Sequence, residues 1–112
     1  MSSAWENFFA ATVVLASAGP IKHRLAEAFR EHLADLEADE LPREIRDEFT
    51  SLSTTMSCIR PMRGETAIQA TVRKMSDWEA GGCAVRIVGM LGVLARLQAA
   101  QRAPKLRAVG ED

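Results

Sequence analysis

The stretch from Ser76 to Gln101 constrains this chain more than any other. Ser76-Asp77-Trp78-Glu79 has the S-x-x-E spacing of a capping box. In that motif the first hydroxyl accepts from the amide three residues on, and the glutamate side chain reaches back. A helix should therefore start at Asp77. It then turns apolar on nearly every side from Cys83 to Leu94, with Arg86 as the one charge. A helix apolar all round has to be enclosed by other elements. In 112 residues that predicts an all-α fold, a small bundle of four to five helices with the last one central and buried. The cover comes from the chain's other helices or from a second copy. Glycines 81, 82, 89 and 92 should cost such a helix about 3–4 kcal/mol relative to alanine. Close backbone approach by a neighbour would offset that loss, and Gly82, Val85, Gly89 and Gly92 share one face. On this reading Gly89→Leu should destabilise by more than about 1–3 kcal/mol through overpacking.

The other segments supply candidate partners. Ser3-Ala4-Trp5-Glu6 is another capping box, so a first helix starts near Ala4. Trp5, Phe8, Phe9, Thr12, Val13 and Ala16 give it a broad apolar face. Gly19-Pro20 ends it, glycine suiting the left-handed position and proline the next first turn. A second helix is expected from Pro20 to Ala38, with a stripe of Ile21, Leu25, Phe29, Leu33 and Leu36. A third starts at Pro42, where Ile45, Phe49, Leu52, Met56 and Ile59 recur at alternating spacings of four and three. That is a seam two heptads long, right for one helix of a bundle. Arg60 to Gly64 reads as a turn. Thr66 to Met75 fits either a helix or a strand, and helix is preferred because no other segment alternates as a pairing strand would. Residues 1–102 form one domain in this reading, and residues 103–112, with Pro104 and Gly110, a flexible tail.

Charge narrows the function classes. The net charge of −1 argues against a general nucleic-acid coat or a membrane-surface binder. The charge is nevertheless uneven: residues 1–59 carry −5 and residues 60–112 carry +4. That asymmetry suits head-to-tail self-association or an anionic partner for the second half. Cys58 and Cys83 fit no metal or redox spacing. As buried free thiols they imply a reducing cytoplasm. Residues 8–18 imitate a secretory signal, but no Lys or Arg precedes them and Glu6 does, so a core helix is the better reading. Arg86 interrupts the best candidate for a membrane span. The alanine-rich composition, with arginine far above lysine, suggests a high-GC bacterial source.

Chemistry is harder to find. His23 and His32 share one helix, and neither follows a glutamate by three as a dinuclear bundle site would require. No Ser/His/Asp set is arguable, and no glycine-rich phosphate loop follows a strand. Lys74-Met75-Ser76 matches three residues of the nucleotide-binding signature of class I aminoacyl-tRNA synthetases. The match stops at Asp77 and Trp78, and a nucleotide fold does not fit this length. No catalytic residue, metal or cofactor is therefore expected.

Two sets of residues are candidates for binding. Arg60, Arg63, Arg73 and Lys74 surround a turn and the following helix, where they would meet phosphates or an acidic protein surface. Trp5, Phe8, Phe9, Gly82, Val85, Gly89 and Gly92 are candidates for a dimer contact or close helix packing. The sequence thus predicts a non-enzymatic, cytoplasmic protein-interaction or regulatory module, homodimeric in its use of surplus apolar surface, with an unidentified protein as its other partner. A DNA-binding regulator using Arg60–Lys74 is the first alternative. A small apolar ligand held under Gly89 and Gly92, near Met56, Met75 and Met90, is the second.

Overall fold

A computed structural model describes residues 3–110, with side chains as far as Gln101. It is all-helical among those residues. The order is α1 (Ala4–Leu15), α2 (Ile21–His32), a single 3-10 turn (Ala38–Glu40), α3 (Arg43–Met56), α4 (Ala67–Lys74) and α5 (Asp77–Gly110).

Each start has a local cause. Ser3 Oγ accepts from the Glu6 amide and Glu6 returns the bond to Ser3 N–H, closing the box ahead of α1. Ser76 and Glu79 do the same ahead of α5, at 3.0 and 2.8 Å. A third box, Thr66 with Gln69, starts α4 and settles residues 67–74 as helix. Each box satisfies two backbone donors that a helix end otherwise leaves without partners.

The ends depart more from expectation. α1 stops at Leu15, and Gly19 takes the left-handed φ of +109° that lets the chain reverse. The Arg24 guanidinium, on α2, bridges back to the carbonyls of Leu15 and Gly19. A cation on carbonyls left over at a helix C-terminus is favourable by charge and by hydrogen bonding. α2 ends at His32, well short of Ala38. There Asn7 Nδ2 of α1 donates to the His32 carbonyl at 2.8 Å, and Leu33 leaves the helical path to bury completely. α3 stops at Met56, so Ile59 lies beyond it. The Ile59 amide donates to Thr71 Oγ1 at 3.0 Å, and that hydroxyl donates to the Ala67 carbonyl. Thr71 is thereby buried with its polar atom satisfied.

The core joins all five helices. Phe8 is fully buried and meets Phe49 edge-on, with ring centroids 6.0 Å apart. Leu25, Leu33, Ile45, Leu52 and Met56 close around them. α5 contributes Ala80, Cys83, Ile87, Met90 and Leu94, a seam with alternating steps of three and four, and packs on α1, α2 and α3. Arg86 leaves this seam sideways. Its guanidinium makes paired bonds of 2.7 and 3.1 Å to the Glu48 carboxylate and one of 3.0 Å to Ser51 Oγ, locking α5 to α3.

α5 is a core helix on one side only. By length and composition it is apolar enough to cross a membrane: its best 18-residue window has a mean hydropathy of 1.5, and 33% of that window is buried in the bundle. Its last buried residue is Leu94, and Ala95, Arg96, Gln98, Ala99 and Ala100 project beyond the bundle in the open. The expected tail, residues 103–112, continues the path of α5 as far as Gly110, while its side chains and residues 111–112 lie outside the described residues.

Candidate functional site

The side of α5 opposite its seam is the most unusual surface of the protein. Helical spacing puts Trp78, Gly81, Gly82, Val85, Val88, Gly89, Gly92 and Ala95 there. No polar side chain interrupts this face from Gly81 to Ala95. Trp78 is 88% exposed and Val85 70%. Solvent-facing sides of helices in bundles are ordinarily polar, and this one is bare glycine, valine and alanine.

The glycines correct the sequence expectation. A Cβ placed on Gly81, Gly82 or Gly89 meets nothing within 4 Å, and one on Gly92 meets only Arg96 of the same helix, at 3.8 Å. Among the described residues no other helix comes close at Gly82, Gly89 or Gly92, and Val85 is exposed. The overpacking expected of Gly89→Leu within one chain is therefore lost. The reason is a matter of faces: the large residues Cys83, Ile87, Met90 and Leu94 turn inward, and the small ones turn out.

α1 carries a smaller patch. Trp5 stacks flat on Phe9, with ring centroids 5.1 Å apart and planes 7° from parallel. Phe9 and Val13 remain about half exposed. Phe8, grouped with them from the sequence, belongs wholly to the core.

The basic cluster divides. Arg73 forms a two-pronged bond to Glu65, at 2.8 and 3.1 Å, across the turn that precedes α4. That guanidinium, helped by the Met62 amide, holds the Glu65 carboxyl down at about 2. Lys22 Nζ donates to the Arg73 carbonyl. Arg73 is thus a brace of the fold, its charge paired with Glu65 while its side chain stays exposed. Arg60, Arg63 and Lys74 stay exposed, Arg60 and Arg63 on the loop and Lys74 at the end of α4. Among the described residues they join no ion pair.

An apolar groove of about 920 Å³ opens where α3 ends and α5 begins. Cys58, Ile59, Met75, Trp78, Gly82 and Val85 line it, with Lys74 and Asp77 at its rim. It flanks the bare face of α5 near its start, two turns away from the position under Gly89 and Gly92 that the sequence suggested. Of the three methionines expected there, Met75 lines it, while Met56 and Met90 are buried in the core. Of the two thiols, Cys83 is buried and burial pushes it up, whereas Cys58 is exposed, contrary to the expectation of two buried cysteines.

The chain matches no known protein family, no curated protein and no solved structure. Sequence reasoning missed the Glu65–Arg73 brace and the groove, both made by residues on different elements. It also missed the Thr66–Gln69 box, whose T-x-x-Q spacing was there to be read.

Proposed function

We propose that this protein is a non-enzymatic helical interaction module that works as a homodimer, with the bare face of α5 as its contact surface. One observation carries the reading: from Gly81 to Ala95 that face bears no polar residue, and among the described residues no other helix covers its glycines. Exposed apolar patches of this continuity mark interaction sites in soluble proteins. A bacterial, cytoplasmic regulator with a further protein partner at Arg60, Arg63 and Lys74 fits this reading and its charge asymmetry.

Light scattering coupled to size exclusion at micromolar concentration tests it. A mass of twice the chain supports the dimer, and a monomer mass at every concentration refutes it.

The groove favours one second reading, a binder of a small apolar ligand. An apolar fluorophore such as anilinonaphthalene sulfonate should then bind with one-site saturation, and Met75→Glu should abolish it. The DNA-binding alternative is weakened by Arg73, whose charge is already committed to Glu65. It predicts duplex binding that falls steeply with salt.

A further inference from the structure

We infer that the two copies pair through α5 in antiparallel fashion, with the two-fold axis at Val85, a proposal that rests on the homodimer reading above. In such a pair each residue before Val85 faces the residue equally far after it in the partner. Trp78, seven residues before, then faces Gly92, seven after. Gly81 faces Gly89, and Gly82 faces Val88.

The match is one of size. The largest exposed side chain, Trp78, lies opposite Gly92, whose one near neighbour is the end of the flexible Arg96 side chain of the same helix, and Val88 lies opposite Gly82. Val85 meets its own copy at the axis, and the small pair Gly81 and Gly89 lets the helices approach on either side of it. Seven residues span about 10 Å of helix, so the contact runs about 20 Å and stays within the apolar face. A parallel pair sets Trp78 against Trp78 and glycine against glycine. Two indoles at one level would hold the helices apart where the glycines need them close.

Charge selects the same direction. Asp77 and Glu79 crowd the first turn of α5, and Arg96 lies one turn beyond Gly92. Helix side chains lean toward the N-terminus, which carries each Trp78 toward the Arg96 of the other copy. The guanidinium then sits near an indole face and an acidic helix start, both favourable to a cation. The parallel pair would bring acid to acid and Arg96 to Arg96. The antiparallel pair also brings the exposed residues 95–101 of one copy alongside the start of α5 and its groove in the other, covering the two surfaces that each bundle leaves open.

Single cysteines in a Cys58→Ser, Cys83→Ala background of the full chain test the direction. Val85→Cys should cross-link to itself under mild oxidation. Trp78→Cys and Gly92→Cys should each stay uncross-linked alone and cross-link to each other when mixed and allowed to exchange subunits. Circular dichroism checks that each variant is folded, and Gly81→Cys with Gly89→Cys serves as a second mixed pair should either first variant fail to fold. Self-cross-linking of Gly92→Cys overturns the proposal in favour of a parallel pair. Absence of every cross-link in a species of dimer mass overturns it in favour of another face. A monomer mass before oxidation instead removes the homodimer reading itself, so the two failures are told apart.

Discussion

Gly89→Leu separates the fold of one chain from the pairing of two. Gly89 lies in the middle of α5 with no positive φ, and a Cβ there meets nothing within 4 Å. Within a single chain the substitution therefore adds no clash and removes a glycine from a helix interior. The gain is about 0.5–1 kcal/mol, which for a domain of this size raises Tm by about 2–4 °C. In the pair, Gly89 faces Gly81, and a leucine from each side must be fitted where only hydrogen stood. Overpacking of that kind costs about 1–3 kcal/mol per site. With two sites in each dimer, association should weaken at least about tenfold. The assay is a thermal melt of wild type and variant across a dilution series, with sedimentation equilibrium on the same samples. At high dilution the variant should melt above wild type. At high concentration, where pairing contributes to wild-type stability, the order should reverse. A variant that melts lower at every dilution would refute the open placement of Gly89. A variant that melts higher throughout, with dimerisation intact, would remove this face from the interface.

Three further outcomes are expected. Phe8→Ala should lower stability by about 3–5 kcal/mol, measured by urea denaturation, because its fully buried ring packs edge-on against Phe49. Acid melts should show the Glu65 brace. Its carboxyl, held at about 2 by Arg73 and the Met62 amide against an ordinary 4.5, contributes stability that is complete above pH 4.5 and is lost as pH falls toward 2; Glu65→Gln should flatten the curve in that window. With a thiol reagent at neutral pH, the exposed Cys58 should be labelled well before Cys83, since Cys83 is buried and its thiolate is disfavoured by that burial.

Much of the fold could be read from single residues because its causes are local. The Ser3 and Ser76 boxes act over three residues and set two helix starts correctly. The seam of Ile45, Phe49, Leu52 and Met56 is a periodicity, and all four are buried. Ends were harder, because they are decided by contacts from elsewhere. α2 stops at His32 where Asn7, on α1, takes its last carbonyl, and nothing in residues 33–38 announces this. The site divides in the same way. That α5 has a face of glycine and valine follows from spacing alone. Which face the bundle covers depends on packing the large residues inward, and the sequence reading gave both faces a neighbour. Arg73 looked available because its partner, Glu65, stands eight residues back across a cap and a turn.

The helix whose inner side completes this bundle is made after all the helices it packs against. Until α5 emerges, α1 to α3 lack Ile87, Met90 and Leu94, the side chains that complete their shared interior. At ordinary elongation rates its 34 residues take roughly 2–7 s to make. For that interval the nascent chain holds its oily faces out to the crowd around the ribosome. Any chaperone requirement in this protein's biogenesis should therefore fall before α5 is released, and a stop codon ahead of Asp77 should yield aggregates or rapid proteolysis in place of a smaller domain.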